Sequence, residues 1–190
     1  MSGGALIYVV GAPGSGKSTL MAALTAGCTR HPVDQPVPHD VLTAGDRQPL
    51  GAELGRRRTT FSGTDALAMS VSPAAKAWVA THPYGLVLAE GDRLAHMGFL
   101  TAAADAGYRV TLVYLQADPD LVDARCAARG STQDPTWRAG RATKAHRLGA
   151  SASEAGYRVL LLDAAAPTAE NEQGLRALLP VINALPEGTP

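Results

Sequence analysis

An apolar run, Leu6–Val10, leads directly into Gly11-Ala12-Pro13-Gly14-Ser15-Gly16-Lys17-Ser18, and the helically spaced stretch Thr19–Ala26 follows. No other feature constrains the fold as strongly. With this chain's own Gly, Lys and Ser plus Thr frequencies, chance would supply the pattern G-x-x-x-x-G-K-[ST] roughly 0.004 times. A strand before the glycines and a helix after them is the context its mechanism requires. The glycines permit a tight loop whose successive backbone N–H groups converge on phosphate oxygens, and the helix start adds the positive end of its dipole. Residues Gly11 through Thr19 are therefore the candidate phosphate cradle. In it Lys17 reaches the outer phosphates and the Ser18 hydroxyl ligates Mg²⁺.

The rest of the chain reads as one three-layer α/β domain spanning 1–190. Three more apolar runs, Leu86–Ala89, Val110–Leu115 and Val159–Leu162, have the look of strands buried on both faces. The helical stretches Leu94–Ala106, Leu121–Arg129 and Leu175–Leu185 alternate with them, which argues for parallel βαβ units. A fifth strand is expected near Val37–Thr43, with Pro38 at its start or on an edge. Ser72–Ala80 reads as a helix with Pro73 in its first turn, whereas Gly45–Gly63 shows no period. Lys plus Arg and Asp plus Glu both number 17; a strongly basic nucleic-acid binder and an acidic tail are both excluded as whole-chain descriptions. No apolar run reaches the roughly 18 residues of a membrane span. The start, Met1-Ser2-Gly3-Gly4, lacks the basic opening of a secretion signal, and Cys28 and Cys126 have no metal or redox spacing. The expected setting is cytoplasmic, with both thiols reduced.

On the cradle and its context the chain resembles the P-loop kinases, the superfamily of nucleotide, shikimate-type and polynucleotide kinases. The likeness is close over residues 5–26 and loose over the remainder. It implies a five-stranded parallel sheet, ATP with Mg²⁺ as cofactors, and a mobile helical lid. Other P-loop classes fit less well. The Asn-Lys-x-Asp motif of GTPases does not occur, and Phe61-Ser62-Gly63-Thr64 shares only Ser-Gly with the signature of ABC ATPases.

Leu86-Val87-Leu88-Ala89-Glu90-Gly91-Asp92-Arg93 supports a kinase. An apolar strand ending in an acid sets a carboxylate beside the cradle, where it can hold a metal-bound water. The segment is similar to the Asp-Gly-x-x-Arg element of adenylate kinases, with Glu90 in place of Asp and one residue fewer before Arg93. It is equally similar to the Asp-Arg-Tyr element of thymidylate kinases, on which reading Asp92 is the acid. Glu90 is favoured for the metal, Asp92 stays open, and either likeness puts Arg93 on the acceptor side.

Six of the 17 basic residues lie from Arg125 to Arg147: Arg125, Arg129, Arg138, Arg141, Lys144 and Arg147. The resemblance makes residues 130–150 a lid, with Arg129, Arg138 and Arg141 as the cations that stabilise the transferring phosphoryl group. Gly130 and Gly140 are expected hinges and Gly149 the lid helix's end. Trp137 is expected in the core or over a base. The acceptor region falls at 34–84. There Arg56-Arg57-Arg58 can hold a phosphate or a nucleic-acid backbone. Asp65, opening an apparent helix to Met69, is the leading candidate to orient and deprotonate an acceptor hydroxyl; Asp40 and Asp46 are rivals. The five histidines lack ligand spacing. Leu160–Pro167 lies where nucleotide kinases enclose the adenine. Acceptors compatible with this reading are a nucleotide, a nucleoside-like hydroxyl or a hydroxyl on DNA such as a hydroxymethylpyrimidine. The alternatives are a small antibiotic or sugar kinase and a non-catalytic nucleotide-binding switch.

Overall fold

A computed structural model describes residues 3–45, 48–57, 62–131 and 133–188. Asp46 and Arg58 fall outside the described residues. Strand β1 (Ala5–Gly11) leads to helix α1 (Lys17–Leu24), and then three short strands form β2 (Thr29–Val33), β3 (His39–Thr43) and β4 (Gly51–Leu54). A 3₁₀ turn at Thr64–Ala66 precedes α2 (Ser72–Ala80), β5 (Leu86–Glu90), α3 (Met97–Asp105) and β6 (Arg109–Gln116). The chain continues through α4 (Pro119–Ala128), α5 (Pro135–Glu154), β7 (Arg158–Asp163) and α6 (Thr168–Leu178), ending in a 3₁₀ turn at Pro180–Ala184.

The strands form one sheet in the order β2-β3-β4-β5-β1-β6-β7. Here the five-strand expectation is corrected: the described residues form seven strands, and β2–β3 and β3–β4 pair antiparallel. The remaining pairings, β4–β5–β1–β6–β7, are parallel. The two added strands escape a search for apolar runs for different reasons. Thr29-Arg30-His31-Pro32-Val33 is a half-exposed edge carrying charge and proline, as edges commonly do. Gly51-Ala52-Glu53-Leu54 is fully buried but only four residues long. Of the two expectations for Pro38 the strand start holds: it stands immediately ahead of β3, which lies between β2 and β4 and is not an edge.

Alternation along β1 creates the three layers. Leu6, Tyr8 and Val10 pack with residues of α2, α3 and α5, whereas Ala5, Ile7 and Val9 pack with α1 and the C-terminal Leu175–Leu185 segment. Helix starts follow local chemistry. Asp118 and Asp134 each cap the helix that opens on the proline after them, accepting from the N–H of Asp120 (2.9 Å) and Trp137 (3.0 Å). Helix α5 runs unbroken through Gly140 and Gly149, so neither interrupts or ends it. Its Ala145, Leu148 and Ala152 are buried in the core, fixing it across β1, β6 and β7. Among the described residues no helix is long and apolar enough to cross a membrane.

Candidate functional site

Because β1, β5 and β6 are parallel, their C-terminal ends release three loops at one edge of the sheet, the position where open α/β sheets bind ligands. The β1 loop is the glycine cradle. A Cβ at Gly11 would stand 2.5 Å from the Leu115 carbonyl oxygen and 2.8 Å from Ser15 Oγ, so only glycine lets the loop pass this close to β6. Gly16 precedes α1 in the left-handed region and offers no side-chain cap, which leaves the first amides of the helix for another acceptor. Ser15 Oγ is buried with no hydrogen-bond partner.

Lys17 curls back over the loop and donates to the carbonyls of Gly11 (3.1 Å) and Ala12 (2.8 Å). Burial pushes its ammonium below the ordinary range, opposed by the carboxylates of Glu90, Asp65 and Asp92. Ser18 Oγ donates to Glu90 Oε1 at 2.9 Å, and Glu90 is 2% exposed. Burial pushes the Glu90 carboxyl up, countered by Lys17 and the Ser18 hydrogen bond. The structure thus joins Ser18 to Glu90. Asp92 faces elsewhere: Arg141 and Lys144 of α5 both pair with its Oδ2, Lys144 at 2.9 Å.

The acceptor side is assembled around Glu90 from residues distant in sequence. Tyr8 donates its phenol to Thr64 Oγ1 (3.0 Å), which donates to the Glu90 carbonyl (2.9 Å). Gly63 brings this turn in with φ +60°, and a Cβ there would stand 2.5 Å from Glu90 Oε1. That approach limits the expected Asp65–Met69 helix to a single 3₁₀ turn. Asp65 Oδ1 accepts from the N–H groups of Asp92 (2.8 Å) and Arg93 (3.2 Å), holding the 90–93 turn beside the cradle. Arg93 donates through Nη2 to the Asp65 carbonyl (3.3 Å), and its Nε is buried without a partner. Asp40 lies outside this group, paired at 2.8 Å with Arg30, which also binds Glu53 and Thr25. Of the expected arginine cluster, Arg56 pairs with Asp34, while Arg57 donates to Thr25 Oγ1 (2.7 Å) near Glu53.

The cations Arg125–Arg147 divide by partner. Arg125 donates to the Ser15 carbonyl (3.3 Å) and the Ala164 carbonyl (3.0 Å), tying the cradle to the loop after β7. Arg129, one turn on, extends its Nη2 to 3.4 Å from where a Cβ on Gly14 would sit. Arg138 pairs with Asp123 of α4 at 2.7 Å. Arg141 pairs with Asp92 and lies 4.9 Å from the Trp137 ring centre. Trp137 is 42% exposed and does not belong to the core. A cavity of about 340 Å³ opens between the cradle and α6, lined by Gly14, Thr19, Arg125, Arg129, Ala164 and Asn171 among others. Ala164 and Ala166, from the stretch where the resemblance expects an adenine, are among the residues lining this cavity. Sequence spacing gives Asn171 and Tyr8 no role, counts Arg125 only within the basic run, and offers Thr64 only as a helix cap. A helical i, i+4 pairing with Arg129 was the one available signal, for Arg125.

These features suit a nucleoside triphosphate with Mg²⁺. Free amides, an ammonium held only by loop carbonyls and an unpartnered buried hydroxyl surround one cradle, with a hydroxyl–carboxylate pair at its rim. No three His, Cys, Asp or Glu side chains converge as a metal cage among the described residues. Mg²⁺ held by one hydroxyl, phosphates and waters needs no such cage.

A family model described as P-loop Nucleotide Kinase3 matches residues 3–171. Among solved structures, the chain is similar to an unliganded sugar kinase from Janibacter sp. HTCC2649, with a TM-score of 0.53 and 12% identity. That match covers 96% of this chain and 98% of the other, and at this identity it speaks for the fold. No curated protein matches the sequence.

Proposed function

Since this chain belongs to the P-loop Nucleotide Kinase3 family, we propose that it is an ATP- and Mg²⁺-dependent phosphotransferase. Its acceptor is a nucleotide or a hydroxyl on nucleic acid, such as that of a hydroxymethylpyrimidine. The observation that carries this reading is the convergence of Lys17, the Ser18–Glu90 pair and Asp65 at the mouth of one amide-lined loop.

Mg²⁺, when bound, draws charge from the β- and γ-phosphates and fixes their orientation. Backbone amides of residues 14–19 grip the phosphate oxygens. Lys17 would exchange its two carbonyl contacts for the outer phosphates, and Ser18 would hold the metal ion through its hydroxyl oxygen. Glu90, held in place by that hydroxyl, would supply its carboxylate beside the ion. Arg125 and Arg129 cover the cradle from α4, where they neutralise charge on the phosphoryl group and exclude water. Asp65, with Oδ1 occupied by two amides, offers Oδ2 to the acceptor. As the acceptor oxygen bonds to the γ-phosphorus, its proton passes to Oδ2; the β–γ bridging P–O bond breaks and ADP leaves with the electron pair. Arg93 steadies the acceptor.

The test is γ-labelled ATP offered with pools of nucleosides, nucleotides, single-stranded oligonucleotides and small hydroxyl compounds. Label on a nucleoside-containing acceptor supports the proposal. Label on a sugar or antibiotic alone, or release of phosphate alone, overturns it. Asp65→Asn should cut kcat about 100-fold or more while ATP affinity is largely kept. A change of only a few-fold would remove Asp65 as base.

A further inference from the structure

A second cavity of about 470 Å³ lies away from the cradle, between the turn that precedes α3 and one face of α5. Gly140, Lys144, Arg147, Leu148 and Ser151 line it from α5, and His96 closes the opposite wall. Lys144, Arg147 and Ser151 follow at steps of three and four, so one helix face presents ammonium, guanidinium and hydroxyl together. Arg147 has no ion pair among the described residues, unlike Arg138 and Arg141 on the same helix. The charged groups facing His96 from neighbouring elements are cations, Lys144 and Lys76 of α2. No acidic side chain among the described residues lines the cavity, and Asp92, the acid that Lys144 meets, is also bonded to Arg141.

His96 is wall and not ligand. Its Nδ1 accepts from the Phe99 N–H (3.2 Å), and its Nε2 is paired with Ser72 Oγ (3.0 Å). Gly140 adds an independent observation. Glycine inside a helix is unfavourable relative to alanine, and here a Cβ would meet nothing within 4 Å, so packing does not demand its absence. What it leaves is space in the cavity wall.

We propose that this groove is a phosphate subsite, in which Arg147, Lys144 and Ser151 hold a phosphate that the acceptor already carries. The proposal rests on the kinase reading for what that phosphate belongs to; the groove's affinity for phosphate stands or falls separately. Lys144 donates to the Asp92 carbonyl (3.0 Å) on the 90–93 turn that Asp65 holds, so the subsite adjoins the acceptor side. Its ligand is a phosphomonoester of a nucleotide or a phosphodiester of a strand.

The experiment is amide NMR of the full chain with the cradle saturated by a non-hydrolysable ATP analogue and Mg²⁺, titrated with inorganic phosphate, thymidine 5′-monophosphate, thymidine and an eight-residue oligothymidylate. Shifts at residues 140–151 and 95–96 with the three phosphate-bearing probes, and none with thymidine, are expected. Arg147→Glu should weaken these shifts about tenfold and Arg147→Lys by no more than about threefold. Both variants should leave analogue affinity, read at residues 11–19, unchanged. Tighter binding of oligothymidylate, with a salt slope reduced by about one in Arg147→Glu, would assign a strand; tighter binding of the monophosphate would assign a nucleotide. Shifts confined to residues 11–19, or equal affinities in wild type and Arg147→Glu, would overturn the subsite. Failure of the analogue to bind would instead strike at the kinase reading.

Discussion

The glycine loop after β1 and the long helix α5 both carry the chemistry of phosphate recognition, yet they come by it differently. In the loop the ligands are mainly backbone amides, and a run of eight residues fixes where they point. On α5 the ligands are long side chains whose direction depends on what the rest of the fold offers them. Four cations spaced by three look alike along the sequence. Their tertiary partners separate them: Arg138 is bonded to α4, Arg141 and Lys144 to the β5 turn, and Arg147 is left facing a cavity. A local motif therefore names its residues' roles, whereas a charge run names only a supply of charge.

Substitutions can break or sharpen that contrast. The largest effect is expected at Lys17. Lys17→Met should reduce phosphoryl transfer at least about 100-fold in a labelled-ATP assay, since no residue elsewhere can replace its reach. Next is the paired behaviour of two glycines. Gly11→Ala places a methyl group against the Leu115 carbonyl and should lower unfolding stability by about 2–3 kcal/mol, with ATP binding lost, as read by denaturation and calorimetry. Gly140→Ala should act oppositely, raising stability by about 0.5–1 kcal/mol in the same denaturation series. If both glycines proved equally intolerant, the distinction between loop and helix would fail.

Asp92→Asn removes the charge that docks α5 on the β5 turn. The groups are a quarter to two-fifths exposed, so screening limits the expected loss to about 0.5 kcal/mol. Hydrogen exchange should accelerate in the first half of α5 and stay unchanged in β1.

The smallest effect is a pH slope. Burial, with Lys144 and Lys76 nearby, holds the His96 imidazole below its ordinary value of 6.5. The unfolded chain therefore binds this proton more readily than the folded one. The contribution of neutral His96 is complete above pH 6.5 and declines as the pH falls below it. Urea midpoints of wild type minus His96→Gln, measured between pH 5 and 7.5, should show that decline; a flat difference would mean the imidazole titrates normally in the fold.

Much of the architecture was legible because each central parallel strand is a largely apolar run, and α2, α4 and α5 open on a proline, the last two behind an aspartate cap. Of the antiparallel arm only β3 was, since β2 is polar and β4 is four residues long. That an acid ends the strand beside the cradle was legible, because an apolar run closing on Glu90-Gly91-Asp92 leaves two candidates; the Ser18–Glu90 hydrogen bond chooses between them. Tyr8 and Thr64 were invisible: a tyrosine in a buried strand reads as core, and only the fold shows its hydroxyl bonded 56 residues away.

By itself, then, the sequence determined the cradle, its lysine and serine, and the alternation of strand and helix, because each depends on neighbours within a few residues. Tertiary structure alone decided which carboxylate meets Ser18, which cations are already paired, and that Asp65 lies at the site while Asp40 joins Arg30. Those outcomes depend on which strands lie side by side and on ion pairs between distant segments. Local spacing carries no record of either.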